Sequence, residues 1–190
     1  IFASVCYRYL TKLSANVCID PDVYNLKPQK KACSVKDMTF TSGQGAPVAI
    51  TKIEVQMAPA DNNKIKPIFL VHIENKGDGE VIKRENYFDA CGAEIKNEIK
   101  KSEATSQLNK YFNVINIDED GTKLSSSALE CGQGDNKEMA LSGKTGIIRC
   151  ELKDLIEDDI DAYVTPLSIV LDYGYSTTIS KGFNIEKPLK

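Results

Sequence analysis

Side-chain oxygens recur along Asn116-Ile117-Asp118-Glu119-Asp120-Gly121, at alternate positions and followed by a glycine that permits a tight bend. Asn116, Asp118 and Asp120 in that pattern match the first half of a calcium loop, where carboxylate and amide oxygens replace the water around a hard cation. The match breaks further on. The first position is Asn, and the twelfth is Ser127, where a bidentate glutamate normally closes the site. The same residues also suit a solvated hairpin turn joining strands over residues 111–117 and 122–129. Both readings stand at this point, no cofactor and calcium.

Other candidates for chemistry reduce to structure. His72 is the only imidazole; on a strand it shares a face with Ile68 and Leu70, which suits a half-buried structural residue. No GxSxG elbow accompanies it, so a Ser-His-Asp triad has no supporting motif, and Ser125, Ser126 and Ser127 read as a polar strand. Gly77 and Gly79 lack a following helix to bind phosphate and read as turn residues. Glu157, Asp158, Asp159 and Asp161 form an acidic run suited to a wet surface, a cation or a basic partner. The absence of tryptophan disfavours a sugar-cleft enzyme. No catalytic residue emerges, and the chain reads as a non-enzyme.

Six cysteines, Cys6, Cys18, Cys33, Cys91, Cys131 and Cys150, are the strongest signal. None forms a CxxC pair, and one histidine cannot complete a zinc site of the usual spacing. An even number at wide spacing points to disulfides in an oxidising compartment, secreted or at the cell surface. Cys131 shares a strand face with Leu129, and Cys150 with Ile148 and Leu152, so both point toward a core and suit one bridge. The other four allow three pairings, among which Cys91 is taken to tie residues 84–110 to the amino-terminal section.

The 190 residues, 42% hydrophobic and 27% charged, suffice for one hydrophobic core. A net charge of -3 argues against nucleic acid, which needs a basic surface. No apolar run approaches the ~20 residues of a membrane-spanning helix. The chain starts at Ile1 rather than Met and reads as a mature or trimmed form, so membrane attachment is expected only through an anchor outside the given residues. No asparagine opens an N-x-Ser/Thr sequon.

Period-two alternation dominates. Ile53, Val55 and Met57 share one face against Lys52, Glu54 and Gln56, and Phe69, Val71 and Ile73 line another strand. Strands are expected over residues 5–10 and 15–19, as a hairpin placing Cys6 opposite Cys18, then over 35–41, 50–57 and 68–74. Further strands follow over 111–117, 124–131, 145–152, 167–173 and 176–185, with an acidic turn over 155–161. Ile95 and Ile99 permit one short helix over 93–103. Short strands without long helices predict an all-β antiparallel β-sandwich, with an amino-terminal section over 1–45 and a sandwich domain over 46–190.

Ala46-Pro47-Val48 leading into residues 50–57, then Phe69-Leu70-Val71-His72-Ile73-Glu74-Asn75-Lys76-Gly77-Asp78-Gly79, resembles a CARDB-type immunoglobulin-like adhesion module. Val5-Cys6-Tyr7-Arg8-Tyr9, Val17-Cys18-Ile19-Asp20-Pro21-Asp22 and Thr165-Pro166-Leu167 are similar to stretches of secreted proteins of small-genome archaea. The resemblance implies an extracytoplasmic immunoglobulin-like sandwich and carries over no enzymatic residue. The expected function is a structural or protein-interaction module at a cell surface or in a filament-like assembly. Its partner would be protein, including copies of itself by strand exchange. The alternative is a calcium-dependent module binding a small ligand or carbohydrate.

Overall fold

The computed structural model describes residues 2–28, 30–87, 112–117, 122–124, 127–132 and 137–183. Among these, twelve antiparallel strands make up the fold: β1 Phe2–Ile19, β2 Met38–Thr39, β3 Val48–Ala60, β4 Lys64–Asn75, β5 Glu80–Ile82 and β6 Val114–Ile117, then β7 Lys123–Leu124, β8 Ser127–Cys131, β9 Glu138–Ala140, β10 Thr145–Leu152, β11 Ile156–Glu157 and β12 Tyr163–Ser180. Their order is β2-β3-β4-β10-β8-β7-β12-β6-β9, with β1 and β5 also on β12 and β11 on β4. The chain is therefore all-β and disulfide-bonded. The described helical structure is a 3-10 turn at Arg84–Asn86, and the helix expected over 93–103 lies outside the described residues.

β1 and β12 form one ribbon with 18 residues on each strand, registered from Phe2 opposite Ser180 to Ile19 opposite Tyr163. This corrects the expected hairpin over residues 5–19. Residues 11–14 hold no glycine or proline, and Thr11 and Leu13 continue the buried face as core residues rather than turning in solvent. Cys6 and Cys18 thus sit twelve positions apart along one strand instead of facing each other. The expected break near residue 174 is absent too. A Cβ on Gly174 would lie 2.3 Å from the Tyr87 Cβ, so this glycine admits a crossing segment instead of ending a strand.

Three short strands meet the second edge of β12 within residues 167–176. Val81 lies opposite Tyr175, Asn116 opposite Asp172, and Leu124 opposite Leu167. β6 and β7 therefore run in the same direction along β12, which corrects the expected hairpin between residues 111–117 and 122–129. The single strand expected over 124–131 divides as well, because β7 turns back onto β8 with Leu124 opposite Ser127. The strand expected over 35–41 shrinks to Met38–Thr39 on β3.

One core joins both strand groups. Leu13, Val17 and Ile19 of β1 pack in the same cluster as Ile53, Phe69, Val71, Ile148, Leu167 and Leu171. Burying each such side chain contributes roughly 1.5–3 kcal/mol. A buried polar chain crosses it: the Tyr173 hydroxyl is 2.9 Å from Thr11 Oγ1, which donates to the Val48 carbonyl at 2.8 Å. The Asn75-x-Gly77-x-Gly79 turn docks on β12, with the Gly79 amide donating to the Tyr175 hydroxyl at 2.7 Å. A Cβ on Gly79 would meet the Ser176 carbonyl oxygen at 2.1 Å, so close backbone approach demands glycine here.

Candidate functional site

Two disulfides frame the polar features. Cys131 and Cys150 lie directly opposite on β8 and β10 and are bonded. Cys18 at the end of β1 is bonded to Cys33, closing the loop that follows. Cys6 is disulfide-bonded as well, and Cys91 lies outside the described residues. Among the described residues no cysteine is free.

The loop closed by Cys18–Cys33 lines an open cleft. The cleft measures ≈ 340 Å³ between the apolar Val23, Val35 and Met57 and the polar Asp20, Asp22 and Lys31. Asp20 starts the turn by accepting the Asp22 amide at 3.1 Å. Asp22 then accepts the Leu26 amide at 2.7 Å and the Lys27 amide at 3.1 Å. Asn25 takes a positive φ of 54°, a conformation asparagine tolerates. These turns aim four oxygens at one point. The Lys31 ammonium fills it, 2.6 Å from Asp20 Oδ2, 2.7 Å from Asn25 Oδ1, 3.0 Å from the Asp22 carbonyl and 3.3 Å from Asp22 Oδ2.

Its own cation thus occupies the cradle, and the arrangement locks a loop. Lys27 adds a second tie, donating to the carbonyls of Asp158 at 2.7 Å and Ile160 at 3.1 Å. This gives the acidic run over 157–161 a structural task. Glu157 further pairs with Lys64 at 2.7 Å. The cradle was not singled out in the sequence, although oxygen-bearing residues at 20, 22 and 25 followed by a lysine carry the signal.

Titration of the cradle follows from its contacts. The hydrogen bond from Lys31 to Asp20 lifts the lysine above 10.5, against the pull of burial, with help from Asp22. Burial pulls Asp22 upward, but the Leu26 and Lys27 amides and Lys31 together hold it below 3.8. A raised lysine stabilises the fold fully below its unfolded value and loses that contribution as pH rises through the folded one. A lowered carboxylate stabilises above its unfolded value and loses it as pH falls through the folded one. The loop is therefore expected to hold between these limits and to loosen at both extremes. Amide exchange of residues 20–31 measured from pH 3 to pH 11 checks this, after correction for intrinsic rates.

The expected calcium residues are only partly placed. Asn116 sits on β6, about nine-tenths buried, and its Oδ1 has no hydrogen-bond partner. Asp118 and Asp120 lie outside the described residues. Asn116 belongs to a row across the outer face of the sheet, with Asp172 and Glu138 opposite it on either side. Asp172 is fully buried and is held by Arg8, whose Nε donates at 2.8 Å and whose Nη2 bonds the second oxygen, and by Arg84 at 3.4 Å. Two guanidiniums already balance that carboxylate. Among the described residues no group of three His, Cys, Asp or Glu is placed to hold a metal.

His72 lies half-buried on β4, with Nε2 2.9 Å from Glu54 Oε1, while Lys52 reaches Glu54 at 2.8 Å and Asp37 at 3.1 Å. Bonded by Lys52 first and His72 second, Glu54 is held below its usual value. In this row Lys52 and Glu54 pair within β3, and His72 reaches Glu54 across from β4.

No family model matches the chain, and neither a curated protein nor a solved structure matches it.

Proposed function

We propose that this chain is an extracytoplasmic structural or protein-interaction module, displayed on a cell surface or built into an extracellular assembly such as a filament. In this reading the antiparallel strands form an immunoglobulin-like sandwich of the adhesion-module kind. The observation that carries it is the oxidation of every described cysteine, with covalent ties at Cys18–Cys33 and Cys131–Cys150. Such bonds form and persist outside reducing cytoplasm. Lys31 filling its own cradle and two guanidiniums holding Asp172 suit a structural role for these groups. Intact source cells treated with a membrane-impermeant amine-reactive biotin should label the chain as fully as lysed cells do. Labelling only after lysis overturns the reading.

One observation favours a second reading, a calcium-dependent module for a small ligand or carbohydrate. Asn116 Oδ1 is buried without a partner, and Asp118 and Asp120 follow it two and four positions later in the sequence. A bound cation would satisfy that oxygen. Calcium at a hundredfold excess over its dissociation constant would then stabilise the protein by about 2.7 kcal/mol. Titration calorimetry and melting with calcium should show heat and a shift that vanish in the Asp118→Ala plus Asp120→Ala variant. Equal heats in the two proteins sink this reading.

A further inference from the structure

Cys18–Cys33 and Cys131–Cys150 stand in opposite surroundings. Cys131 and Cys150 are 5% and 0% exposed and belong to the core cluster with Leu129, Ile148 and Leu152. Cys18 and Cys33 are only half-buried. Parity explains the difference. Cys18 shares a strand face with the exposed Lys12, Ser14 and Asn16, and Val164 opposite it is 56% accessible. Exchange with an external thiol requires a thiolate to reach one sulfur of the bond, so access decides which bond reacts.

The accessible bond also governs a defined piece of structure. With it closed, residues 34–37 alone link Cys33 to β2, and four residues span at most about 14 Å. With it open, the link from β1 to β2 is the whole of residues 20–37, in which no described residue belongs to a strand. Asp37 anchors the far end to β3 through Lys52 and the Val55 amide. Before that anchor, Lys27 reaches the carbonyls of Asp158 and Ile160 at the exposed surface, where water competes, and Val23 and Val35 pack half-buried against the core. The bonds from Lys31 to Asp20, Asp22 and Asn25 are internal to the loop and shape it without attaching it to β3 or β4. The same segment lines the cleft, with Met57 of β3 as the wall it closes against.

We propose that Cys18–Cys33 is a redox latch: a dithiol opens it while Cys131–Cys150 stays closed, releasing residues 20–36 and dismantling the cleft with the strands in place. This goes beyond the module reading and gives the chain a second, reduced state. One thiolate of the dithiol attacks a sulfur of the bond, forming a mixed disulfide and expelling the other sulfur as a thiolate. The second thiol of the reagent then closes on the mixed disulfide, and the reagent leaves as its own disulfide. Two electrons pass to the protein, and the two protons of the dithiol end on Cys18 and Cys33. Val23 and Val35 then leave Met57 uncovered.

The test takes the native oxidised chain through graded dithiothreitol, traps thiols with N-ethylmaleimide and maps Cys18, Cys33, Cys131 and Cys150 by mass spectrometry. Cys18 and Cys33 should label at least about tenfold faster than Cys131 and Cys150. While only that bond is open, far-UV circular dichroism should match the oxidised chain, and amides of residues 22–27 should exchange at least about tenfold faster. Untreated Cys18→Ser plus Cys33→Ser should reproduce the fast exchange, with residues 145–152 and 163–176 still protected. An equal or reversed labelling order overturns the inference. So does an opened bond that leaves residues 22–27 exchanging at the oxidised rate, or one whose opening unfolds the strands.

Discussion

With Cys18, Cys33, Cys131 and Cys150 all replaced by serine, the chain is expected to lose about 6 kcal/mol of stability. Loops of 15 and 19 residues each contribute about 3 kcal/mol when crosslinked. Domains of this kind have roughly 5–15 kcal/mol in total, so the variant stands near the limit of folding. The local structure sharpens the expectation. β8 and β10 pair through only three registered positions, and the middle one sets Glu130 directly opposite Glu151. Like charges in that position repel, offset in part by Lys66 at 3.3 Å and Arg149 at 2.9 Å from Glu151. The Cys131–Cys150 bond holds together a ladder that carries a repulsive pair. Calorimetry should show a melting point lowered by about 12–24 °C. Reductant should shift the wild type in the same direction, and the untreated protein should show no titratable thiol. A shift below about 3 °C in the variant would remove the covalent frame as a main source of stability.

Tyr173→Ala is expected to cost about 3–5 kcal/mol for the cavity alone. Its ring is fully buried and stacks on Tyr9 at 6.1 Å between centroids. Its hydroxyl also accepts the Val48 amide at 3.2 Å and meets Thr11 at 2.9 Å, so the residue joins β1, β3 and β12 at one point. Tyr173→Phe keeps the ring and strands those partners, at about 1–3 kcal/mol. The phenol also sets an alkaline limit. Burial pushes its pKa from 10.0 up to about 12, against the bonds from Thr11 and Val48. The neutral form is the one the fold prefers. This stabilisation is therefore complete below pH 10 and lost as pH rises through about 12. Denaturant titrations at pH 8 and pH 11.5 should show a steeper loss in wild type than in Tyr173→Phe, and identical losses would contradict the assigned role.

Much of the strand content was legible because a β-strand repeats every two residues, whatever it packs against. Ile53 and Val55, or Phe69, Val71 and Ile73, mark their buried face without reference to the rest of the chain. The same parity set Cys131 and Cys150 on inward faces. Parity cannot say where a strand ends if its neighbour is remote. Residues 11–14 read as a turn because their partners, at 168–171, lie more than a hundred and fifty positions away. Residues 174 and 175 read as a gap between strands because nothing local reveals that Tyr87 crosses over Gly174.

The candidate site divides along the same line. Oxygens at Asn116, Asp118 and Asp120 stood out through local spacing, yet the burial of Asn116 beside a doubly paired Asp172 depends on β6 docking against β12. The lysine cradle passed unnoticed because it needs a disulfide to fold residues 20–31 back on themselves. Composition and alternation alone were enough to establish an antiparallel, crosslinked β protein, since both follow from backbone geometry and cysteine chemistry. Which strands became neighbours and which cysteines met were decided by long-range packing, because hydrogen bonds between strands carry no record of sequence distance.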